Sequence, residues 1–334
     1  MTIPATLELT EAKAPARRAG ILAVGAHLPA ALLTNADLEA LVETSDTWIM
    51  ERTGIRVRHR AAAGETSSEM GAAAARRALE RAGGGGIDAL VVATSSPDTL
   101  FPSTACLVQR KLGLEGVPAF DVSAACSGFI YGVTIAESLV RSGVGERILV
   151  VAAESMTSLV DFGDRQTCVL FGDGAGAAVV GAVADGGIVA RRWGADGGQG
   201  HLIYYGPAPD DPTSPARVRM SGRGTFRMAV EHLGDVTEGV CADAGWDPAS
   251  IDHFIPHQAN QRIIEATAKR LGLPLDRVVL NVRETGNTSA ASIPLALAGA
   301  EAAGRFHPGD RMVAAAFGAG ATWGAIAWEW GGGQ

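Results

Sequence analysis

Cys126 is the side chain of this sequence best placed to act as a nucleophile. It lies in the segment DVSAACSGFIYG, between a predicted strand over 118–122 and a predicted helix through 130–139. A thiol at the start of a helix faces unpaired amide N–H groups and the positive end of the helix dipole, and both favour the reactive thiolate. A small buried core cysteine is an equally good interpretation of the position alone.

His257 and Asn287 could supply hydrogen-bond donors to such a site. His257 lies in FIPHQANQRII directly after an apolar run, and Asn287 lies in TGNTSAASIP at a predicted strand-to-helix turn. Taken singly, the histidine is more simply a packed or surface residue, and the asparagine a helix N-cap. Whether these three side chains meet therefore depends on the secondary-structure elements that position them.

Continuous apolar runs alternate with amphipathic segments along the chain. The runs 89–93, 148–152 and 177–180 predict buried strands, and the segments 67–82 and 128–142 predict helices. Buried strands separated by helices are typical of a largely parallel sheet that is covered on both faces. The pattern therefore predicts an α/β fold.

Three sequence blocks recur in the same order along the chain. The matching pairs are 82–97 with 244–260, 124–128 with 286–290, and 171–176 with 317–321. This repeat predicts two similar α/β halves, 20–184 and 185–334, after a flexible tail over 1–19. The three candidate side chains then fall at turns on equivalent ends of the two halves, where a ligand site is expected.

The composition excludes several classes of protein. A formal net charge of −8 argues against a general nucleic-acid binder. The four cysteines lie far apart without a CxxC pair, so neither a metal site nor a disulfide scaffold is predicted. No apolar run reaches the length of a membrane span, and no signal peptide is recognisable. We therefore expect a soluble, cytoplasmic protein with no nucleic-acid or membrane partner.

Further motifs complete a family resemblance. TSDTWIMERTGIRVRH, FPSTAC, DRQT and FGDGAGAAVV accompany DVSAACSGF, FIPHQAN, GNTSAASIP and a terminal FGAG. With these motifs the sequence from Gly20 onward closely resembles the β-ketoacyl-acyl carrier protein synthase III family of the thiolase superfamily. The resemblance implies a thiolase-like fold, in which duplicated α/β halves form a five-layered αβαβα sandwich.

The same resemblance implies a reaction that initiates fatty-acid or polyketide chains. Cys126 would take an acyl group from acyl-CoA as a thioester. Malonyl-acyl carrier protein would then lose CO2, and its carbanion would attack that thioester. His257 and Asn287 would donate neutral hydrogen bonds to the enolate oxygen, and the backbone N–H groups of Cys126 and Ala319 would form a second oxyanion hole. Acyl-CoA and malonyl-acyl carrier protein are substrates, and no permanently bound cofactor is implied.

Four residues are implied in CoA binding. Trp48 and Arg165 would hold the adenine, Arg52 would lie near the phosphates, and Asn260 would help to hold the pantetheine arm. Trp48 and Arg52 are four residues apart, which places them on one face of a helix. An amphipathic helix with one exposed arginine is the simpler interpretation without the resemblance. The segment FGDGAGAA lacks the third glycine of a dinucleotide fingerprint, so nicotinamide is not expected.

Two protein partners are also implied. The acidic carrier protein would dock on a basic patch, and Phe101 would reach across a homodimer interface to close the partner's acyl pocket. Arg262 and Lys269 lie seven residues apart and so share a helix face. An ordinary solvated helix face is the alternative. The predicted docking residues are Arg227, Arg262, Lys269 and Arg270.

Two other functions stay open at this stage. One is a non-condensing acyltransferase of a natural-product pathway on the same scaffold, and the other is a catalytically silent partner subunit. Gln166 stands where the family often has a small residue, so the CoA entrance is expected to differ in shape. The sequence does not identify the acyl primer, because one methylene changes binding by only about 1–3 kcal/mol.

Overall fold

The structure is a computed structural model that describes residues 17–331 of the chain. Its strands are β1 (Arg18–His27), β2 (Ala31–Thr34), β3 (Val57–Arg60), β4 (Ala89–Ala93), β5 (Ala119–Val122), β6 (Arg147–Ser155), β7 (Asp173–Val183), β8 (Gly187–Ala195), β9 (Ile203–Gly206), β10 (Arg217–Met220), β11 (His253–Pro256), β12 (Arg311–Gly318) and β13 (Thr322–Glu329). Its α-helices are α1 (Asn35–Glu39), α2 (Asp46–Thr53), α3 (Ser67–Arg81), α4 (Thr104–Leu112), α5 (Gly128–Arg141), α6 (Gly222–Ala244), α7 (Gln261–Arg270), α8 (Val282–Thr285) and α9 (Ser292–Ala302).

The elements predicted from apolar periodicity are present. The predicted strand 89–93 is β4, and the other two predicted strands lie within β6 and β7. The predicted helix 67–82 is α3, which begins where the Thr66 side chain accepts a hydrogen bond from the backbone N–H of Glu69. The predicted helix 128–142 is α5. Local pattern therefore sufficed where a segment is fully buried or clearly amphipathic.

The first sheet has five strands in the order β1-β7-β6-β4-β5. Strands β6, β4 and β5 are parallel to one another, whereas β7 runs antiparallel to both β6 and β1. The expectation of a largely parallel sheet was therefore wrong for half of this sheet's pairings. The physical reason is the connection 156–172, which holds a short 3-10 turn and no crossover helix that could return β7 parallel to β6.

The second sheet completes a layered arrangement. Its order is β11-β12-β13-β8. Helices α5 and α9 lie between the two sheets and contact both, α3 and α4 cover the outer face of the first sheet, and α6 covers that of the second. The central core joins side chains from α5, α9 and both sheets. The five-layered αβαβα sandwich is confirmed.

The start of the described chain belongs to the first sheet. Strand β1 begins at Arg18, so the last two residues of the predicted tail 1–19 are part of a strand. The rest of that predicted tail, residues 1–16, lies outside the described residues. All strands of the first sheet come from residues 18–183, and all strands of the second from residues 187–329. Between residues 17 and 331, no helix combines the length and apolar character that crossing a bilayer requires.

Candidate active site

Cys126 lies between the carboxyl end of β5 and the first turn of α5. The 3-10 turn Ala125–Ser127 joins these elements, and Ala125 adopts a φ of 46°, a left-handed conformation that is strained for a residue with a side chain. Cys126 borders a cavity of about 870 Å³. The tight turn thus presents the thiol to the cavity instead of to the core.

His257 follows β11 and is held as a neutral imidazole. Its Nδ1 lies 2.7 Å from the Ser292 hydroxyl oxygen, which also accepts the backbone N–H of Gln258 at 3.3 Å. A hydroxyl can accept the Gln258 N–H and still donate its own proton; we assign that donation to Nδ1, which places the ring proton on Nε2. Burial lowers the pKa of His257 to about 3. The ring therefore offers the cavity an uncharged N–H donor.

Asn287 is held by its backbone beside the first sheet. Its N–H donates to the Leu170 carbonyl at 2.9 Å, and its own carbonyl accepts the Gly172 N–H at 3.0 Å. The side-chain oxygen accepts the Ser289 N–H at 2.9 Å. That bond uses the amide oxygen, so the amide NH2 group remains to donate to the cavity, which Asn287 lines. The Asn287 side chain thus stabilises a local turn but is not the N-cap of α9, which is Ala291, so the simpler interpretation of a helix N-cap was wrong.

The turn between β12 and β13 approaches the Cys126 backbone closely. A Cβ at Gly318 would lie 2.7 Å from the Cys126 nitrogen, so glycine is needed there. The Thr322 hydroxyl donates to the carbonyls of Ala124 and Ala319 at 2.9 and 3.1 Å, which ties the two turns together. Ala319 lines the same cavity as Cys126. The two backbone segments predicted to form an oxyanion hole therefore lie side by side.

The resting state of the thiol differs from the sequence-based expectation. Burial raises the pKa of Cys126 to about 12, and the nearby carboxylate of Glu154 adds to the rise. The expectation that the start of α5 would favour a thiolate was therefore wrong for the resting site. Loss of water around the sulfur raises the pKa of the thiol, whereas the field of the helix terminus acts in the opposite direction. The thiol must lose its proton during the reaction.

Three of the predicted CoA residues, Trp48, Arg52 and Asn260, line the cavity, and Arg165 lies over the Trp48 ring. The guanidinium carbons of Arg165 and Arg52 lie 5.3 and 5.9 Å from the centre of the Trp48 ring. Asn260 caps α7 by accepting the Arg262 N–H at 2.9 Å, and it donates to the Arg52 carbonyl at 3.0 Å. Asn260 therefore joins α7 to α2 besides lining the cavity. Gln166 is exposed and lines the same cavity.

The predicted docking residues fall on the packed helices α6 and α7. Arg227, Arg262 and Lys269 are exposed, and the Arg262 guanidinium lies over the Phe226 ring at 5.7 Å. Arg270 behaves differently, because it donates to Asp235 at 2.5 Å and to Glu238 at 3.0 Å. Two carboxylates of the described chain therefore compensate the charge of Arg270, unlike that of the other three predicted docking residues.

The remaining cavity wall is mainly apolar. It offers room beside Cys126 for an acyl chain, whose length the wall would limit. The apolar side chains that line it include Met156, Leu159, Val218, Met220, Leu233 and Phe317.

Sequence reasoning missed three buried polar residues around the catalytic candidates. Ser292 sets the His257 tautomer, and Glu154 and Ser289 lie next to the Cys126 thiol. The only sequence signal for Glu154 was a single acidic residue at the end of the apolar run RILVVAAES. The two serines lie in TGNTSAASIP, where nothing in the spacing separates them from ordinary turn residues.

Comparisons with known proteins agree with this geometry. The family profiles for 3-oxoacyl-[acyl-carrier-protein (ACP)] synthase III and for its C-terminal part match residues 120–197 and 241–330. The β-ketoacyl-[acyl-carrier-protein] synthase III of Thiobacillus denitrificans is 49% identical over 91% of this chain and 97% of its own length. That of Sinorhizobium medicae is 46% identical over 94% and 99%.

Solved structures show the same fold. The 3-oxoacyl-(acyl carrier protein) synthase III of Pseudomonas aeruginosa has a TM-score of 0.89 at 42% identity, over 94% of this chain and 99% of that one. The priming β-ketosynthase of the R1128 polyketide pathway has a TM-score of 0.91 at 37% identity, over 95% and 98%. The thiolase-like layers, the shared cavity and these matches together show that the chain belongs to the β-ketoacyl-acyl carrier protein synthase III family of condensing acyltransferases.

Proposed function

We propose that Cys126, His257 and Asn287 carry out a decarboxylative Claisen condensation. The supporting observation is that all three side chains line one cavity, with His257 held neutral. In the first half-reaction the Cys126 sulfur attacks acyl-CoA and the thiol of CoA leaves. In the second, malonyl-acyl carrier protein loses CO2, and the resulting carbanion forms a carbon–carbon bond to the acyl group as the Cys126 sulfur departs.

Two separate sets of donors stabilise the two oxyanions. His257 Nε2–H and the Asn287 NH2 group donate to the enolate oxygen formed by loss of CO2. The backbone N–H groups of Cys126 and Ala319 donate to the tetrahedral oxygen formed on the acyl group. Donors that are already oriented in a dry site each stabilise such a transition state by about 3 kcal/mol. Uncharged donors also leave the initial malonyl carboxylate free to depart as CO2.

Carbon dioxide release tests this function directly. With acetyl-CoA and malonyl-acyl carrier protein, we expect CO2 and the 3-oxoacyl product in equal amounts, measured from carboxyl-labelled malonyl groups and by mass spectrometry. Acyl transfer without CO2 release would establish the non-condensing acyltransferase instead. The absence of both an acylated Cys126 and CO2 release, for any short acyl-CoA tried, would favour the silent subunit.

The CoA entrance and the basic surface are proposed to bind different substrates. A base between Trp48 and Arg165 needs two contacts of about 3.5 Å each, roughly 7 Å in all. The Arg165 guanidinium carbon now lies 5.3 Å from the centre of the Trp48 ring, so Arg165 has to move outward when the adenine enters. Arg227, Arg262 and Lys269 are proposed to bind the acidic carrier protein, with Arg262 placed between the two sites because it also lines the cavity.

Two variants separate these sites. We expect Trp48→Ala to raise KM for acetyl-CoA about tenfold, since stacking on a base is worth about 1–3 kcal/mol. KM for malonyl-acyl carrier protein should stay unchanged. Arg227→Glu should raise KM for malonyl-acyl carrier protein and leave KM for acetyl-CoA unchanged, and its effect should fade at high salt. Trp246→Ala, which removes a similar pair with Arg311, is the matched control for Trp48→Ala. Equal effects of either variant on both substrates would contradict the assignment.

A homodimer is proposed from an exposed apolar edge. Leu100 and Phe101 are 91% and 85% exposed. Strand β5, at the edge of the first sheet, also exposes Phe120. Large exposed side chains beside an unpaired strand edge are typical of a surface that a second copy covers. Light scattering on the full chain should give twice the chain mass, and the mass of one chain would refute the dimer.

A reducing compartment suits the proposed nucleophile. Cys126 and the other three cysteines are free thiols. A cysteine that must form thioesters has to stay reduced, so we propose a cytoplasmic location.

We also propose that the chain divides into two halves at 184/185, because this position lies in the connection between β7, which ends at Val183, and β8, which begins at Gly187.

A further inference from the structure

Gln258 carries a fully buried amide that the mechanism above leaves unused. Its Nε2 donates to the carbonyls of Pro256 at 2.7 Å and Val279 at 3.0 Å. Its Oε1 accepts the backbone N–H groups of Asn281 at 3.0 Å and Val282 at 3.2 Å. An amide has two N–H groups to donate and two lone pairs to accept with, so its whole hydrogen-bonding capacity is used on the backbone.

The partners of this amide determine which residue type fits at position 258. Two carbonyls lie beside the nitrogen and two N–H groups beside the oxygen, so turning the amide over would place like groups together. A carboxylate has no donor for the carbonyls, and an apolar side chain would leave all four backbone groups without this partner. Glutamine is therefore suited to join these four groups.

These bonds link the end of β11 to the start of α8. The N–H of Val279 pairs with the Phe254 carbonyl of β11 at 2.9 Å, and the Gln258 side chain continues that pairing toward α8. Helix α8 begins at Val282, and its N-cap residue Asn281 makes no side-chain capping bond. The Gln258 oxygen supplies that cap from outside the helix. The position of α8 therefore depends on a side chain of the turn after β11.

Helix α8 leads to one proposed enolate donor, and Gln258 directly follows the other. Asn287 lies two residues after α8, which ends at Thr285. On the other side, the Gln258 N–H and the His257 Nδ1 both contact the Ser292 hydroxyl, at 3.3 and 2.7 Å. One buried amide thus connects the two backbone segments that carry His257 and Asn287. Two donors stabilise one oxygen only when both are oriented toward it before the reaction, so their separation matters.

We propose that Gln258 is a positioning residue that holds His257 and Asn287 at the separation needed to donate to one enolate oxygen. The inference rests on the proposed function, in which these two side chains stabilise the enolate. Gln258 is not among the described residues that line the cavity, so it acts through the two donors and not on the substrate. Its loss slows condensation and spares acylation, whose oxyanion uses the backbone N–H groups of Cys126 and Ala319.

The first test compares the two half-reactions in Gln258→Met, which keeps the length of the side chain and removes its hydrogen bonds. We expect kcat for condensation, followed by labelled CO2, to fall about 10–100-fold, since a misplacement of about 1 Å can cost that much. KM for malonyl-acyl carrier protein and the rate of Cys126 acylation, followed by intact mass, should stay close to their wild-type values. Equal losses in both half-reactions would mean that Gln258 only supports the fold, and would overturn the proposal.

Two further variants separate positioning from stability. Gln258→Asn keeps a neutral amide but is one methylene shorter, so it cannot span all four partners and should slow condensation relative to acylation by a smaller factor. Gln109→Met is the matched control, because Gln109 lies on α4, at the outer face of the first sheet, and donates to the Val117 carbonyl at 2.6 Å. It should lower the temperature of thermal unfolding and leave the ratio of the two half-reactions unchanged. A ratio that changed as much in Gln109→Met as in Gln258→Met would refute a positioning role.

Amide hydrogen exchange tests the link without any substrate, so its result is independent of the proposed condensation. Gln258→Met leaves the N–H groups of Asn281 and Val282 without their acceptor, so the peptide 279–288 should exchange faster than in the wild type. The peptide that carries Cys126 should exchange as in the wild type. Unchanged exchange over 279–288 would overturn the proposal. A wild type that does not condense would refute the proposed function instead, and the exchange would still decide whether Gln258 holds the two segments together.

Discussion

Cys126→Ala is expected to abolish acylation and condensation, and to leave a slow loss of CO2 from malonyl-acyl carrier protein. The variant has no sulfur to carry the acyl group, so its intact mass should not rise with acetyl-CoA. The donors of His257 and Asn287 do not depend on that sulfur, because their positions come from Ser292 and from the backbone of Leu170 and Gly172. They should still stabilise the enolate.

The control for this result is another accessible thiol. Cys106 is partly buried on α4, and Cys106→Ala should acylate at the wild-type rate. Cys168 and Cys241 are buried in the second core, so neither is a competing nucleophile. A mass gain in Cys126→Ala would place the acyl group elsewhere. Complete loss of CO2 release would show that decarboxylation requires the acylated thiol.

The positions of the catalytic candidates could be predicted from the sequence because they depend on local pattern. Cys126 and His257 each follow a strand, β5 and β11, whereas Asn287 follows the short helix α8, so the strand-to-helix turn predicted at Asn287 was wrong although the residue still precedes a helical segment. The end of such a strand is where a chain in an α/β fold leaves the sheet and exposes side chains to a ligand. The repeated blocks then placed the three turns at comparable ends of the chain's two parts, and the structure brings them to one cavity.

The ionisation of the site could not be predicted in the same way. The position of Cys126 before a helix suggested a thiolate, yet burial raises the pKa of the thiol to about 12. Burial of the sulfur depends on both β12–β13 and the turn at Ser289, which are far away in sequence. Desolvation is a property of the assembled fold, whereas the helix dipole is a local one.

The sequence pattern also could not predict which distant segments of the chain pair with one another. The antiparallel direction of β7 depends on a connection with no crossover helix, and its apolar run looks like those of its parallel neighbours. Arg270 looked like part of a basic patch, and its partners Asp235 and Glu238 lie on a different helix. Charge on one helix face says nothing about the carboxylates that the fold places opposite it.

Asn287→Ala is expected to slow condensation by two to three orders of magnitude and to leave acylation of Cys126 within a few-fold of wild type. The enolate loses one of its two neutral donors, and removal of one oxyanion donor typically costs about 10²–10³ in kcat. The tetrahedral oxygen of the acylation step uses the backbone N–H groups of Cys126 and Ala319 instead. Single-turnover mass measurements give the acylation rate, and labelled CO2 gives the second half-reaction.

Asn287→Asp separates donation to the enolate from support of the turn. Aspartate keeps the oxygen that accepts the Ser289 N–H at 2.9 Å, so the turn that holds the thiol's partner stays in place. It loses the NH2 donors and brings a carboxylate that opposes charge on the enolate. Condensation should therefore be at least as slow as in Asn287→Ala, with acylation retained. Recovery of condensation in Asn287→Asp would mean that Asn287 acts by holding the turn, and equal losses in both half-reactions would mean that it serves the nucleophile.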